Sequence, residues 1–84
     1  MKWWKGSDNM VVIFGYEMPN YASQHYKEFI ECKNRYLDNK NTDTSADMKC
    51  AYEEIYEDFK LEMHKGNITE NDFYRCKKLL NSGL

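Results

Sequence analysis

Residues 59–80 read FKLEMHKGNITENDFYRCKKLL, and nearly every position has a local physical reason for being there. The stretch reads as the end of one helix, a tight turn and the start of another. Gly66 follows an amphipathic run and can take the left-handed conformation that closes a helix without a Cβ penalty. His64 and Lys65 precede it, where positive charge suits the negative end of the helix dipole. Thr69 is placed to accept an orphan backbone N–H of the next helix, with Asp72 at the reciprocal capping-box position. Ile68 and Phe73 have the spacing of a hydrophobic staple. Two helices joined by so short a turn are expected to pack antiparallel.

Working outward, apolar periodicity marks two more helical segments. Ala22, Tyr26, Phe29, Ile30, Lys33, Tyr36 and Leu37 recur at helical spacing, and all but Lys33 are apolar. This predicts a helix over 20–38, with Asn20 as a possible cap after Pro19. Met48, Ala51, Tyr52, Ile55, Phe59 and Met63 make the apolar face of a helix over 46–65, capped by Thr44 or Ser45. Phe73, Cys76, the stem of Lys77 and Leu80 are the buried positions of a third, over 70–81. Residues 38–43 (DNKNTD) contain no apolar side chain and read as a mobile loop.

Residues 1–18 admit two readings. Met10-Val11-Val12-Ile13-Phe14 is β-branched and aromatic, which favours a strand, and Gly6-Ser7-Asp8-Asn9 is turn-like. Lys2-Trp3-Trp4-Lys5 would be the partner strand. The alternative is a short helix capped by Ser7 or Asp8 and ended before Pro19. The strand is preferred because β-branched residues are stiff in helices. The expected fold is mainly α: a single domain over 1–84, a small three-helix bundle with an N-terminal extended segment or β-hairpin.

The turn also carries a resemblance. Gly66-Asn67-Ile68-Thr69-Glu70-Asn71-Asp72-Phe73, followed by Lys77-Lys78-Leu79-Leu80, is similar to the short C-terminal domain called SHOCT, whose pattern is roughly Gly-x-Ile-Thr-x-x-Glu-Phe and a basic helix ending in Leu-Leu. The match covers about a quarter of the chain (residues 59–80). Asp72 stands where Glu is usual, and Cys76 where a charged residue is common. The resemblance implies a helical hairpin acting in self-association or protein contact, with no catalytic residues. The many Lys and Asn and the single Pro also resemble the composition of small phage-encoded proteins.

Eighty-four residues with 42% hydrophobic content make one domain, near the lower size limit for a comfortable core. The net charge of −2 argues against general affinity for nucleic acid. Residues 11–14 are too short an apolar run for a leader or a membrane span. Three widely spaced cysteines, Cys32, Cys50 and Cys76, suit a reducing cytoplasm better than a secreted disulfide scaffold. With His25 and His64 they contain no Cys-x-x-Cys or His-x-x-x-His pair, so neither metal nor other cofactor is expected, and one buried thiol per helix is the plainer reading. Nothing marks an activated nucleophile, an oxyanion hole or a phosphate loop, and no enzyme is expected.

The feature with functional promise is the acidic middle of the chain. Residues 43–62 hold seven acids against two lysines, a net −5. Glu53 and Glu57, Glu54 and Asp58, and Asp58 and Glu62 are spaced four apart, and like charges at that spacing cost a helix about 0.2–0.5 kcal/mol per pair. The bland reading is a solvated face. The functional one is a surface of Glu53, Glu54, Glu57, Asp58 and Glu62, flanked by Tyr52 and Tyr56, that docks on a basic groove of another protein. The expected function is therefore a small acidic helical protein-binding protein, of the kind a phage uses as an inhibitor, occluding the nucleic-acid-binding surface of a host or defence protein. The alternatives are a self-association module, which would make the chain a homo-oligomer, and a small DNA-binding regulator using Arg75, Lys77 and Lys78. Against the last, Glu70 and Asp72 occupy the turn that would meet phosphates. Trp3 and Trp4 can stack on bases or touch a membrane surface, though capping the core is the simpler use.

Overall fold

The computed structural model describes residues 10–82. Two strands lead into three helices: β1 (Met10–Ile13), β2 (Tyr16–Pro19), α1 (Asn20–Asp38), α2 (Thr42–His64) and α3 (Glu70–Leu80). The fold is the expected three-helix bundle with an N-terminal hairpin, but the hairpin is made differently. β1 pairs antiparallel with β2, in the register Met10↔Pro19, Val11↔Met18, Val12↔Glu17 and Ile13↔Tyr16. The strand expected at Lys2-Trp3-Trp4-Lys5, the cap at Ser7 or Asp8 and the roles of Trp3 and Trp4 lie outside the described residues. The period of two is clean: Ile13 and Met18 are buried, while Val12 and Glu17 face out.

The hairpin loop is Phe14-Gly15, with φ of 55° and 88°. Two successive positive φ values suit a two-residue turn whose twist matches the strands. Gly15 is natural there and Phe14 is not, which is why this turn is hard to see in the sequence. The Phe14 ring explains its tolerance. It stacks on Phe59 at 6.0 Å and meets Tyr26 edge-on at 5.5 Å, so aromatic burial offsets a strained backbone.

α1 packs mainly on α2, with Ala22, Phe29, Met48, Ala51, Ile55 and Phe59 meeting Ile13 and Met18 from the hairpin and Phe73, Cys76 and Leu80 from α3. Pro19 takes the N-cap position of α1, so Asn20 lies inside the helix and no side chain caps it. Leu37, expected in the stripe, is 40% exposed. Lys33, the odd cation of that stripe, has a use: its ammonium lies 5.7 Å from the Phe29 ring centroid and donates to the Leu80 and Ser82 carbonyls, which the end of α3 leaves without partners.

The loop expected over 38–43 is instead a tight capped turn. α1 runs to Asp38 and α2 begins at Thr42, with Asn41 rather than Thr44 or Ser45 as its cap. The Thr44 N–H donates to Asn41 Oδ1 at 2.9 Å, the Asn41 N–H donates to Thr44 Oγ1 at 3.1 Å, and the Thr44 hydroxyl donates to the Asn39 carbonyl at 2.8 Å. Polar composition suggested mobility because each of those side chains looks solvated until the reciprocal bonds are drawn.

The 59–80 hairpin is as expected. Gly66 has φ 83°; its N–H donates to the Met63 carbonyl and that of Asn67 to the Glu62 carbonyl, both at 3.0 Å. This pair of bonds is the Schellman closure of α2. Thr69 and Asp72 form the capping box of α3. Among the described residues, no helix is long and apolar enough to cross a membrane.

Candidate protein-docking surface

The five acids of the expected surface do not share a face. Glu53, Glu54 and Glu57 are exposed on α2, whereas Asp58 is 7% exposed and Glu62 1%. The reason is periodicity. Ile55, Asp58, Phe59 and Glu62 are spaced three, four and seven apart, so Asp58 and Glu62 fall on the core stripe. That spacing was available in the sequence; grouping the acids by charge rather than by turn of helix concealed it.

Each inward carboxylate is partnered, as burial requires. Asp58 Oδ2 lies 2.6 Å from His25 Nδ1 on α1. With the carboxylate ionised, the ring nitrogen donates. The bond to Asp58 raises His25 above its usual 6.5; burial opposes this, and the negative charges of Asp58, Glu54 and Glu28 reinforce it. Burial pushes the Asp58 carboxyl up in turn, and His25 pulls it partly back. Glu62 accepts from the Asn67 side-chain amide at 2.9 Å and from Lys65 Nζ at 3.4 Å.

The tyrosines also turn inward. Tyr52 and Tyr56 are half-buried and stack on each other at 5.8 Å. Tyr52 leans on Phe29 at 5.7 Å and its hydroxyl accepts from Asn81 at 3.2 Å. Tyr56 meets Phe73 edge-on at 5.3 Å beneath Lys77 Nζ, which is 5.8 Å from its centroid. They seal the seam between α2 and α3 rather than forming a free aromatic rim.

What faces solvent is a narrower ridge. Glu53, Glu54 and Glu57 line a shallow groove of about 530 Å³ together with Cys50 and Asp58 of the same helix and His25 of α1. No ion pair or side-chain hydrogen bond among the described residues engages the three glutamates. Exposed Glu28 of α1 adds to the field at His25. Sequence reading missed Glu28 and His25 here because only the packing of α1 on α2 brings them to the ridge. Oxygen acceptors without donors suit ammonium or guanidinium groups.

Cysteine chemistry is limited. Only Cys76 is a buried thiol; Cys32 is half-buried and Cys50 exposed, so the expectation of one buried thiol per helix holds for α3 alone. Burial pushes the Cys76 thiol up to about 11, which keeps it protonated and inert. Cys32 Sγ takes a contact from Arg35 Nη2 at 3.3 Å. No three His, Cys, Asp or Glu side chains converge on one point among the described residues.

No family model, curated protein or solved structure matches this chain.

Proposed function

We propose that this chain is a small helical protein-binding protein that presents Glu53, Glu54 and Glu57 to a basic surface of another protein. The observation that supports the reading is the separation of the acids into two groups. Asp58 is partnered internally by His25, and Glu62 by Asn67 and Lys65, whereas the three exposed glutamates have no partner among the described residues. Glu53 and Glu57 also repel each other across one turn, at a cost of about 0.2–0.5 kcal/mol that a cationic partner relieves. Opposed potentials speed encounter, and a groove that binds nucleic acid is basic because it must neutralise phosphates. Occupying such a groove makes the protein an inhibitor of nucleic-acid binding.

The test is capture from the source cell with the native chain and with the triple variant Glu53→Lys, Glu54→Lys, Glu57→Lys. The expected result is a basic partner held by the native chain, released by the variant, and displaced from duplex DNA by the native chain alone. The helical circular-dichroism signal should be the same for both, since all three side chains are exposed. Undiminished capture by the variant overturns the reading.

A further inference from the structure

The outer side of α3 has the opposite character to the ridge. Tyr74 is 55% exposed and Leu79 38%, on an 11-residue helix whose other side buries Phe73, Cys76 and Leu80. Arg75 and Lys78 stand exposed between them, and with Lys77 and Asn81 these residues bound a shallow groove of about 680 Å³. Lys77 is engaged with Tyr56, and Arg75 donates to the Tyr16 oxygen at 3.3 Å. Lys78 makes no hydrogen bond or ion pair among the described residues. Tyr74 touches Phe73 with one side of its ring, at 5.7 Å between centroids, and its outer side, Leu79 and the Lys78 ammonium form an apolar and cationic patch that no other described residue engages.

We propose that this face docks a short acidic segment of another protein, one that carries an apolar side chain between carboxylates. The apolar group lies against Tyr74 and Leu79, and the carboxylates meet Lys78 and the remaining donors of Arg75. Charge layout favours a peptide over a nucleic acid. A nucleic-acid strand is a long polyanion, and it would run from this patch onto Glu70 and Asp72 at the start of the same helix, in a chain of net charge −2. A short acidic peptide stays within reach of Lys78 and Arg75. The proposal does not depend on the acidic ridge of α2.

The experiment uses the full chain and three probes at low salt: a fluorescein-labelled Glu-rich peptide with leucines at helical spacing, its Lys-for-Glu counterpart, and a labelled DNA duplex. Saturable anisotropy with the acidic peptide alone is expected, with amide shifts confined to residues 74–82. Lys78→Glu should weaken binding by about tenfold, and Leu79→Ser by several-fold, with the helical signal unchanged. Absence of saturable peptide binding, indifference to Lys78→Glu, or equal affinity for the duplex overturns the proposal. So does concentration-dependent sedimentation abolished by Lys78→Glu, because the face would then belong to a second copy of the chain.

Discussion

Tyr16 and Asp72 lie 56 positions apart in sequence and are joined by a 2.8 Å hydrogen bond in which the phenol donates to Oδ1. The other carboxylate oxygen of Asp72 accepts the Thr69 N–H at 3.1 Å, and the Asp72 N–H donates back to Thr69 Oγ1 at 3.0 Å. One side chain thus starts α3 and tethers the hairpin to it. The bond from the Thr69 backbone, followed by that from Tyr16, holds the Asp72 carboxyl below its usual 3.8. The same contact raises Tyr16, because the ionised carboxylate keeps the phenol protonated.

Asp72 and Tyr16 should therefore be non-additive. Asp72→Ala is expected to lower the urea midpoint more than Tyr16→Phe, and the double variant to be little worse than Asp72→Ala alone. Thr69→Ala should cost about 1 kcal/mol, the usual loss for an N-cap. Because the folded value of Asp72 is depressed, its contribution is present above pH 3.8 and is lost as pH falls through that lower value. Additive losses in the double-mutant cycle would show that cap and tether act independently.

Glu62 depends on its donors. Asn67→Ala leaves a carboxylate that is 1% exposed without its amide partner, and a loss of about 1–3 kcal/mol is expected. Glu62→Met, which removes the charge at similar volume, should cost less or stabilise. Equilibrium urea unfolding of both variants separates the cases; a Glu62→Met loss larger than that of Asn67→Ala contradicts this account.

The pair His25–Asp58 makes stability fall as pH rises. His25 has a folded value above 6.5, so its stabilising contribution is full below pH 6.5 and fades as pH climbs through the raised value. Asp58, raised above 3.8 by burial, acts with the same sign over its lower window. Glu54 and Glu28 reinforce His25, and Glu54 and Glu62 reinforce Asp58. His25→Gln should flatten the fall of the denaturation midpoint as pH rises above 6.5. At about pH 6, His25→Ala should cost about 1–3 kcal/mol by leaving Asp58 without a donor. An unchanged pH profile in His25→Gln would remove the pair from the account.

The Phe14-Gly15 turn sets strain against packing. Phe14→Asn relieves a positive φ worth about 1 kcal/mol but gives up a half-buried ring, roughly half of the 1.5–3 kcal/mol of full burial, and its aromatic pairs with Tyr26 and Phe59, worth about 0.5–1.5 kcal/mol each, so a net loss is expected. Gly15→Ala meets no atom within 4 Å, so its expected penalty of about 1 kcal/mol is purely conformational. Gly66→Ala, at φ 83° and equally open, should behave alike. Thermal or urea unfolding of the three reads these values, and a stabilised Phe14→Asn would mean that the ring contributes little.

Sequence alone determined what rests on neighbours within about four positions. The Gly66 stop and the Thr69–Asp72 cap are local hydrogen-bond chemistry, and the helical stripes follow from a fixed period. Tertiary structure decided what needs a partner far along the chain. Phe14 can hold a turn only because Phe59 and Tyr26 cover its ring, and Asp58, which the helical period turns inward, is tolerated there because His25, 33 positions away, packs within 2.6 Å of it. A side chain carries its charge in the sequence, but whether that charge faces water or a donor is settled only when the helices pack, since burial is tolerated just where a partner waits.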